Sequence, residues 1–158
     1  MKKVIEPSLH KIRWKLFLLG LLKIPLLHFV RPKLIFINST EVQVQIKLRR
    51  RTKNHLNSMY FGALTVGADV AAGIHAFYFA EKQSKRISFS FKSMHAEFIK
   101  RAETTVVFYC EQGGKIENAL IESAADNTRK NIMVDVSAMN LNKEKVAIFK
   151  MELSLKVI

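Results

Sequence analysis

The chain has 158 residues, enough for one domain whose core needs no disulfide or metal. Its one cysteine, Cys110, excludes an intrachain disulfide, and its five histidines are too scattered for zinc spacing. A net charge of +13, from 26 basic and 13 acidic residues, implies an anionic partner: nucleic acid, an acidic membrane surface, a phosphorylated cofactor or an acidic carrier protein.

The first predicted element is a helix over residues 8–22, with Ser8 as N-cap and an end near Pro25. The apolar run Leu16 to Val30, behind Lys11, Arg13 and Lys15, has the outline of a signal peptide. Lys23 and Pro25 interrupt it, no small-residue cleavage site follows, and it is shorter than the ~20 residues that cross a bilayer. Residues 1–30 therefore read as an amphipathic helix and lead-in to a single domain over 1–158. The helix either packs on the domain or lays its basic, apolar surface on a membrane. The expectation is a cytoplasmic chain, with peripheral membrane contact as the alternative to packing on the domain.

Glu41 to Arg49 alternates, with Val42, Val44, Ile46 and Leu48 on one face and polar residues on the other, as in a half-buried strand. The polar stretch Thr52 to Ser58 then leads into Phe61 to Ala80, which is apolar on all sides. That stretch is long enough to cross a membrane, but a carboxylate near its middle, Asp69, would cost about 2.5–3.5 kcal/mol in lipid. A helix buried inside a sheet is the better reading. Gly67, Ala68, Ala71, Ala72, Gly73 and Ala76 would let that sheet come close.

Ile87, Phe89 and Phe91 alternate with polar residues, and Thr104 to Cys110 is β-branched and aromatic on both faces, so two more strands follow. Cys110 reads as a buried, inert thiol. A short amphipathic helix is predicted over Lys115 to Ala125. Strands over Asn131 to Ala138 and Ala147 to Val157 form a hairpin through the turn Asn140 to Lys143. The expected order is helix, strand or strands, buried helix, two strands, short helix, two strands.

Asp69 is the chemical outlier. A carboxylate on an apolar helix is costly unless something binds it, and desolvation raises its pKa. It reads either as a functional acid or as a buried Asp satisfied by backbone or partner-subunit groups. Gly62 lies two helical turns earlier on the same face. The helix N-terminus, capped by Asn57 or Ser58, would favour a developing negative charge. His55 reads as a solvated loop histidine.

The sequence from about Pro32 to Lys156 resembles the hotdog thioesterase superfamily, in an uncharacterised thioesterase-like branch. The resemblance is strongest in N-H-L-N-S-M-Y-F-G-A-L-T-V-G-A-D, Asn54 to Asp69, and in A-E-F-I-K-R-A, Ala96 to Ala102. Acyl-CoA thioesterases of the phenylacetate-pathway type carry H-G-G at the start of the buried helix, with an acid seven positions after the second Gly. Gly62 and Asp69 match that Gly and acid. Asn54 matches an upstream Asn, with Asn57 as the alternative. Tyr60 and Phe61 replace the His and the first Gly.

The resemblance implies an α+β hotdog fold, an antiparallel sheet wrapped around a long central helix. It implies a homodimer or homotetramer with sites shared between subunits. The substrate would be an acyl group on coenzyme A or an acyl carrier protein, with no separate cofactor. It makes Asp69 the base or nucleophile, the N–H groups of Phe61 and Gly62 the oxyanion donors, and Asn54 an orienting group. Tyr60 would border the substrate. Lys100 and Arg101 are candidate phosphate contacts or solvated charges. The alternative function is a non-catalytic hotdog that binds an acyl ligand or assembles with other proteins. A nucleic-acid role ranks last, because the basic residues are dispersed and the one Trp gives no stacking platform.

Overall fold

A computed structural model describes residues 6–158; residues 1–5 of the expected lead-in lie outside the described residues. Helix α1 runs Leu9–Leu22 and opens on Ser8, whose hydroxyl accepts the N–H of Lys11. Pro25 does more than end this helix. It occupies the first turn of a second, α2, Pro25–Val30, where a missing N–H costs nothing. Arg31 closes α2 in the left-handed region, at φ 58°, and the chain turns into strand β1, Lys33–Ile37. Strand β2, Val42–Ile46, is shorter than the alternation suggests.

The reason lies in the segment that follows. The Thr52 hydroxyl donates to the Lys47 carbonyl at 2.8 Å and accepts the Arg49 N–H at 2.9 Å. These bonds fold residues 47–52 back before the strand can continue.

Helix α3, Phe61–Lys82, is followed by strands β3, Ile87–Phe98, and β4, Val106–Cys110. Helix α4, Gly113–Asp126, and the hairpin β5, Lys130–Asn140, with β6, Lys145–Val157, complete the chain. All neighbouring strands are antiparallel, in the order β1-β2-β4-β5-β6-β3. Every strand from β2 to β6 touches α3, so the sheet curls around the helix. Helix α4 lies against α3, β5 and β6. The α3 segment is long and apolar enough to cross a membrane, but most of it is buried inside the protein.

The small residues of α3 are used as expected. A β-carbon placed on Gly67 would lie 2.3 Å from the Phe108 ring, which is fully buried. In a close-packed interior that ring has nowhere to go. Gly67→Ala is therefore expected to destabilise the fold by about 1–3 kcal/mol, although alanine is the better helix former. A urea midpoint reads the loss, and adding Phe108→Leu should recover part of it. A midpoint at or above that of the parent chain would refute the close approach.

The two sheet edges differ. Strand β1 is partly covered, because the Arg13 Nε donates to the Leu34 carbonyl at 2.6 Å from α1. Strand β3 has β6 on one side only, and much of its length is exposed.

Candidate functional site

Residues 53–60 set the start of α3. Asn54 Oδ1 accepts the N–H groups of Leu56 at 2.9 Å and Ser58 at 3.2 Å, and Asn54 Nδ2 donates to the Ser58 hydroxyl at 3.0 Å. Asn57 sits in the left-handed region at φ 60°. Met59 N–H donates to the Ala102 carbonyl, and Tyr60 N–H donates to the Thr52 carbonyl, both at 2.8 Å. The expected N-cap, Asn57 or Ser58, is corrected by this arrangement. The cap position is Tyr60, without a side-chain bond, because the polar side chains upstream are used to fold their own turn.

Two amides are left over. Ala63 and Leu64 both donate to the Tyr60 carbonyl, whereas no acceptor among the described residues reaches the N–H of Phe61 or Gly62. The Tyr60 ring folds over Gly62, so that a β-carbon there would lie 2.6 Å from Tyr60 Cε1. Tyr60 and Phe61 are themselves exposed, Phe61 at 57%, and Phe61 packs edge-on against the exposed Phe98 at 6.2 Å.

Asp69 lies two turns deeper than Gly62, half-buried on α3. Burial pushes its carboxyl above the usual carboxylate range, and no hydrogen bond offsets that. It borders a cavity of about 530 Å³ between the α1–α2 hairpin, α3 and the first half of β3. The walls are mostly apolar: Leu19, Leu27, Ile74, Phe77, Phe89 and Phe91 among them. Among the described residues Asp69 is the only ionisable group on the walls, and Ser88 and Ser90 are the other side-chain polar groups. The volume and the mix of apolar wall with few polar groups suit a small-molecule site.

The structure does not gather the whole expected set in one chain. Asn54, Asn57, Tyr60, Phe61 and Gly62 do not line the Asp69 cavity. Seven residues of helix separate Gly62 from Asp69 by about 10 Å along the axis. Lys100 pairs with Glu144 at 2.5 Å on the surface, and Arg101 is exposed. His55 is exposed. Cys110 is fully buried, and burial pushes its thiol up to about 11. The residues missed by the sequence reading are Ser88 and Ser90, together with the α1–α2 leucines. Only the tertiary meeting of three distant segments brings them to Asp69.

Solved structures share this architecture. A Pseudomonas aeruginosa protein described as a probable thioesterase of unknown function superposes with TM-score 0.79, at 17% identity, over 99% of this chain and 100% of that one. A Chlorobaculum tepidum protein of unknown function gives 0.82 at 10% identity, over 96% and 98%. A putative thioesterase from Shewanella oneidensis gives 0.77 at 9% identity, over 93% and 99%. At these identities the likeness shows a shared hotdog fold. No curated protein matches. The family model of the domain of unknown function DUF4442 matches residues 13–157, so nearly the whole fold, from the first helix to the last strand, belongs to the DUF4442 family.

Proposed function

We propose that the protein hydrolyses acyl thioesters. The observation that carries this reading is the desolvated Asp69 carboxylate on the wall of an apolar cavity of about 530 Å³. A base with its pKa lifted toward neutrality is better matched to taking a proton from water. Water attacks the thioester carbonyl carbon while Asp69 accepts its proton. The tetrahedral oxyanion then collapses, the C–S bond breaks, and the thiolate leaves and is protonated. The products are a carboxylic acid and a free thiol.

The unpaired N–H groups of Phe61 and Gly62 would hold the oxyanion, as preorganised donors at a helix N-terminus. Donors must lie about 3 Å from that oxygen. A single α3 cannot then offer both its own N-terminus and its own Asp69 to one acyl carbon, given about 10 Å between them. A second copy resolves this. In a homodimer, or a tetramer of such pairs, Asp69 of one protomer would face the helix N-terminus of another. The open β3 edge, with exposed Phe61 and Phe98 nearby, supports pairing through that side.

Asn54 serves this site through its turn, by fixing where α3 begins, with Asn57 at the tip. Tyr60 borders the entrance. The thiol arm is that of coenzyme A or an acyl carrier protein. Arg101 is available for phosphate, whereas Lys100 would first have to leave Glu144.

The test is thiol release from a panel of acyl-CoA esters of increasing chain length and from acylated carrier protein, with light scattering on the same sample. Turnover of at least one substrate by a dimer or tetramer is expected. No turnover on any substrate sinks the hydrolase. A co-purifying acyl ligand held intact would instead support a binding protein. A stable monomer sinks the shared site.

A further inference from the structure

The α1–α2 hairpin has an exposed face that lies largely outside the hydrolase site, with only Ile24 also lining the Asp69 cavity. Trp14, Phe17, Leu21, Ile24, Leu26 and Phe29 are all exposed there, with Trp14 at 60%. Trp14, Phe17 and Leu21 recur at helical spacing, so they form one stripe along α1. The stripe continues onto α2, since Trp14 stacks on Phe17 at 5.5 Å and Phe17 meets the His28 ring at 6.2 Å.

Beside it, between the hairpin and the β1–β2 strands, lies a second cavity of about 560 Å³. Arg13, Arg31, Lys33, Lys47, Arg49 and Arg51 line it, and no Asp or Glu does. None of these six takes part in an ion pair among the described residues. The acid that α1 does meet, Glu81 at the end of α3, holds Lys11 and Lys15 and not Arg13. The cations and the apolar face are joined, because the Arg51 guanidinium lies 5.8 Å from the Phe29 ring centre and donates to the Phe29 carbonyl at 3.3 Å. Phe17 itself lines the cavity.

We propose that this hairpin and its basic cavity dock on an anionic lipid bilayer, with the apolar stripe entering the interface and the cavity receiving lipid phosphate. Charge selects this occupant. An isologous contact with a second copy would set six unpaired cations of one chain against six of the other. Nucleic acid would satisfy the cations but leave six large apolar side chains without a purpose. An anionic bilayer satisfies both, as interfacial helices with a basic flank do. The inference stands apart from the hydrolase reading: it uses neither Asp69 nor the start of α3, and the two share only hairpin residues such as Ile24 and Leu27 on the cavity walls.

Trp14 is the only tryptophan in the chain, so the protein carries its own probe at the contact. The full chain is mixed with vesicles of phosphatidylglycerol, with vesicles of phosphatidylcholine, with inorganic phosphate and with a DNA oligonucleotide. The anionic vesicles are expected to sediment the protein and to shift Trp14 emission to shorter wavelength. Raising the salt should weaken both effects, because a screening length of about 10 Å at 0.1 M shrinks further. Phosphatidylcholine and phosphate should leave the emission unchanged. The exposed double variant Lys47→Glu, Arg49→Glu should weaken vesicle binding about tenfold or more, with its circular dichroism intact.

Absence of sedimentation and shift with phosphatidylglycerol overturns the proposal. So does equal binding to phosphatidylcholine, or the same shift with phosphate alone. A shift that follows protein concentration without vesicles would give the face to self-association. Tighter retention by the oligonucleotide than by vesicles would give it to nucleic acid. Either result overturns docking on lipid.

Discussion

Asp69→Asn is expected to lower thioester hydrolysis about 10²–10⁴-fold while leaving the fold as stable as before or more so. The two effects have opposite signs for one physical reason. The folded environment raises the Asp69 pKa by burial and gives no hydrogen bond in return. Between the ordinary carboxylate value and the raised one, the unfolded chain is ionised and the folded chain holds the proton. Stability therefore declines as pH rises through that interval, and at neutral pH the charged carboxylate is a cost. Asparagine keeps the shape and removes that cost, but it takes no proton from water. A structural role for Asp69 predicts the reverse, with activity and stability falling together. Hydrolysis rates and urea midpoints on the same preparation separate the two. In the parent protein, kcat/KM should rise with pH along a limb lying above the usual carboxylate range. Activity within about twofold of the parent, or a clearly lower midpoint, would remove Asp69 from the mechanism.

The second large effect concerns His75, fully buried in the middle of α3. Its Nε2 is 2.9 Å from the Asn38 carbonyl, its Nδ1 has no partner, and its ring stacks on Phe79 at 5.5 Å. Burial lowers its pKa to about 4, against an opposing bond to the Asn38 carbonyl. A histidine in an unfolded chain takes up its proton near pH 6.5. From about pH 6.5 down to about 4 the unfolded state thus binds the proton and the folded state does not. Stability is full above this window and lost within it, by about 3 kcal/mol in all. Asp69 works in the opposite direction over part of the same range, so a comparison is needed. His75→Phe fills similar space and should lose about 1 kcal/mol at neutral pH, from the orphaned Asn38 carbonyl. It should then resist acid better than the parent, and the two stability curves should converge or cross by pH 4. Parallel curves in urea titrations at successive pH values would show that His75 does not carry the acid sensitivity.

The sequence displayed the elements wherever burial leaves a clear pattern of residue types along the chain. Val42, Val44 and Ile46 announce β2 because the sheet has a core side. Phe61 to Ala80 announces α3 because glycine and alanine line it where the Phe108, Phe89 and Phe91 rings come close. The alternation fails at Lys47, where Thr52 bonds override it, and the N-cap fails at Ser58, whose hydroxyl belongs to Asn54. Both errors come from polar side chains competing for backbone groups, which spacing does not reveal. Pro25 looked like an end and is a beginning, because the first turn of a helix tolerates it. At the site, Asp69 stood out through its chemistry alone. Its walls did not, since Leu27, Asp69 and Phe89 are brought together only by the tertiary fold. The basic cavity is equally invisible in the chain order, for its cations come from α1, the α2–β1 turn, the start of β1 and the segment that follows β2.

Cys110 bears on how any assembly of this protein is to be read on a gel. It is the sole thiol, it is buried on β4, and its pKa near 11 leaves almost no thiolate at neutral pH. Two folded chains therefore have no route to a covalent bridge. A species of doubled mass that survives detergent and disappears with reductant would consist of chains that had opened before oxidising. Such a band counts damaged protein, and its intensity measures how often the sheet has come apart in storage.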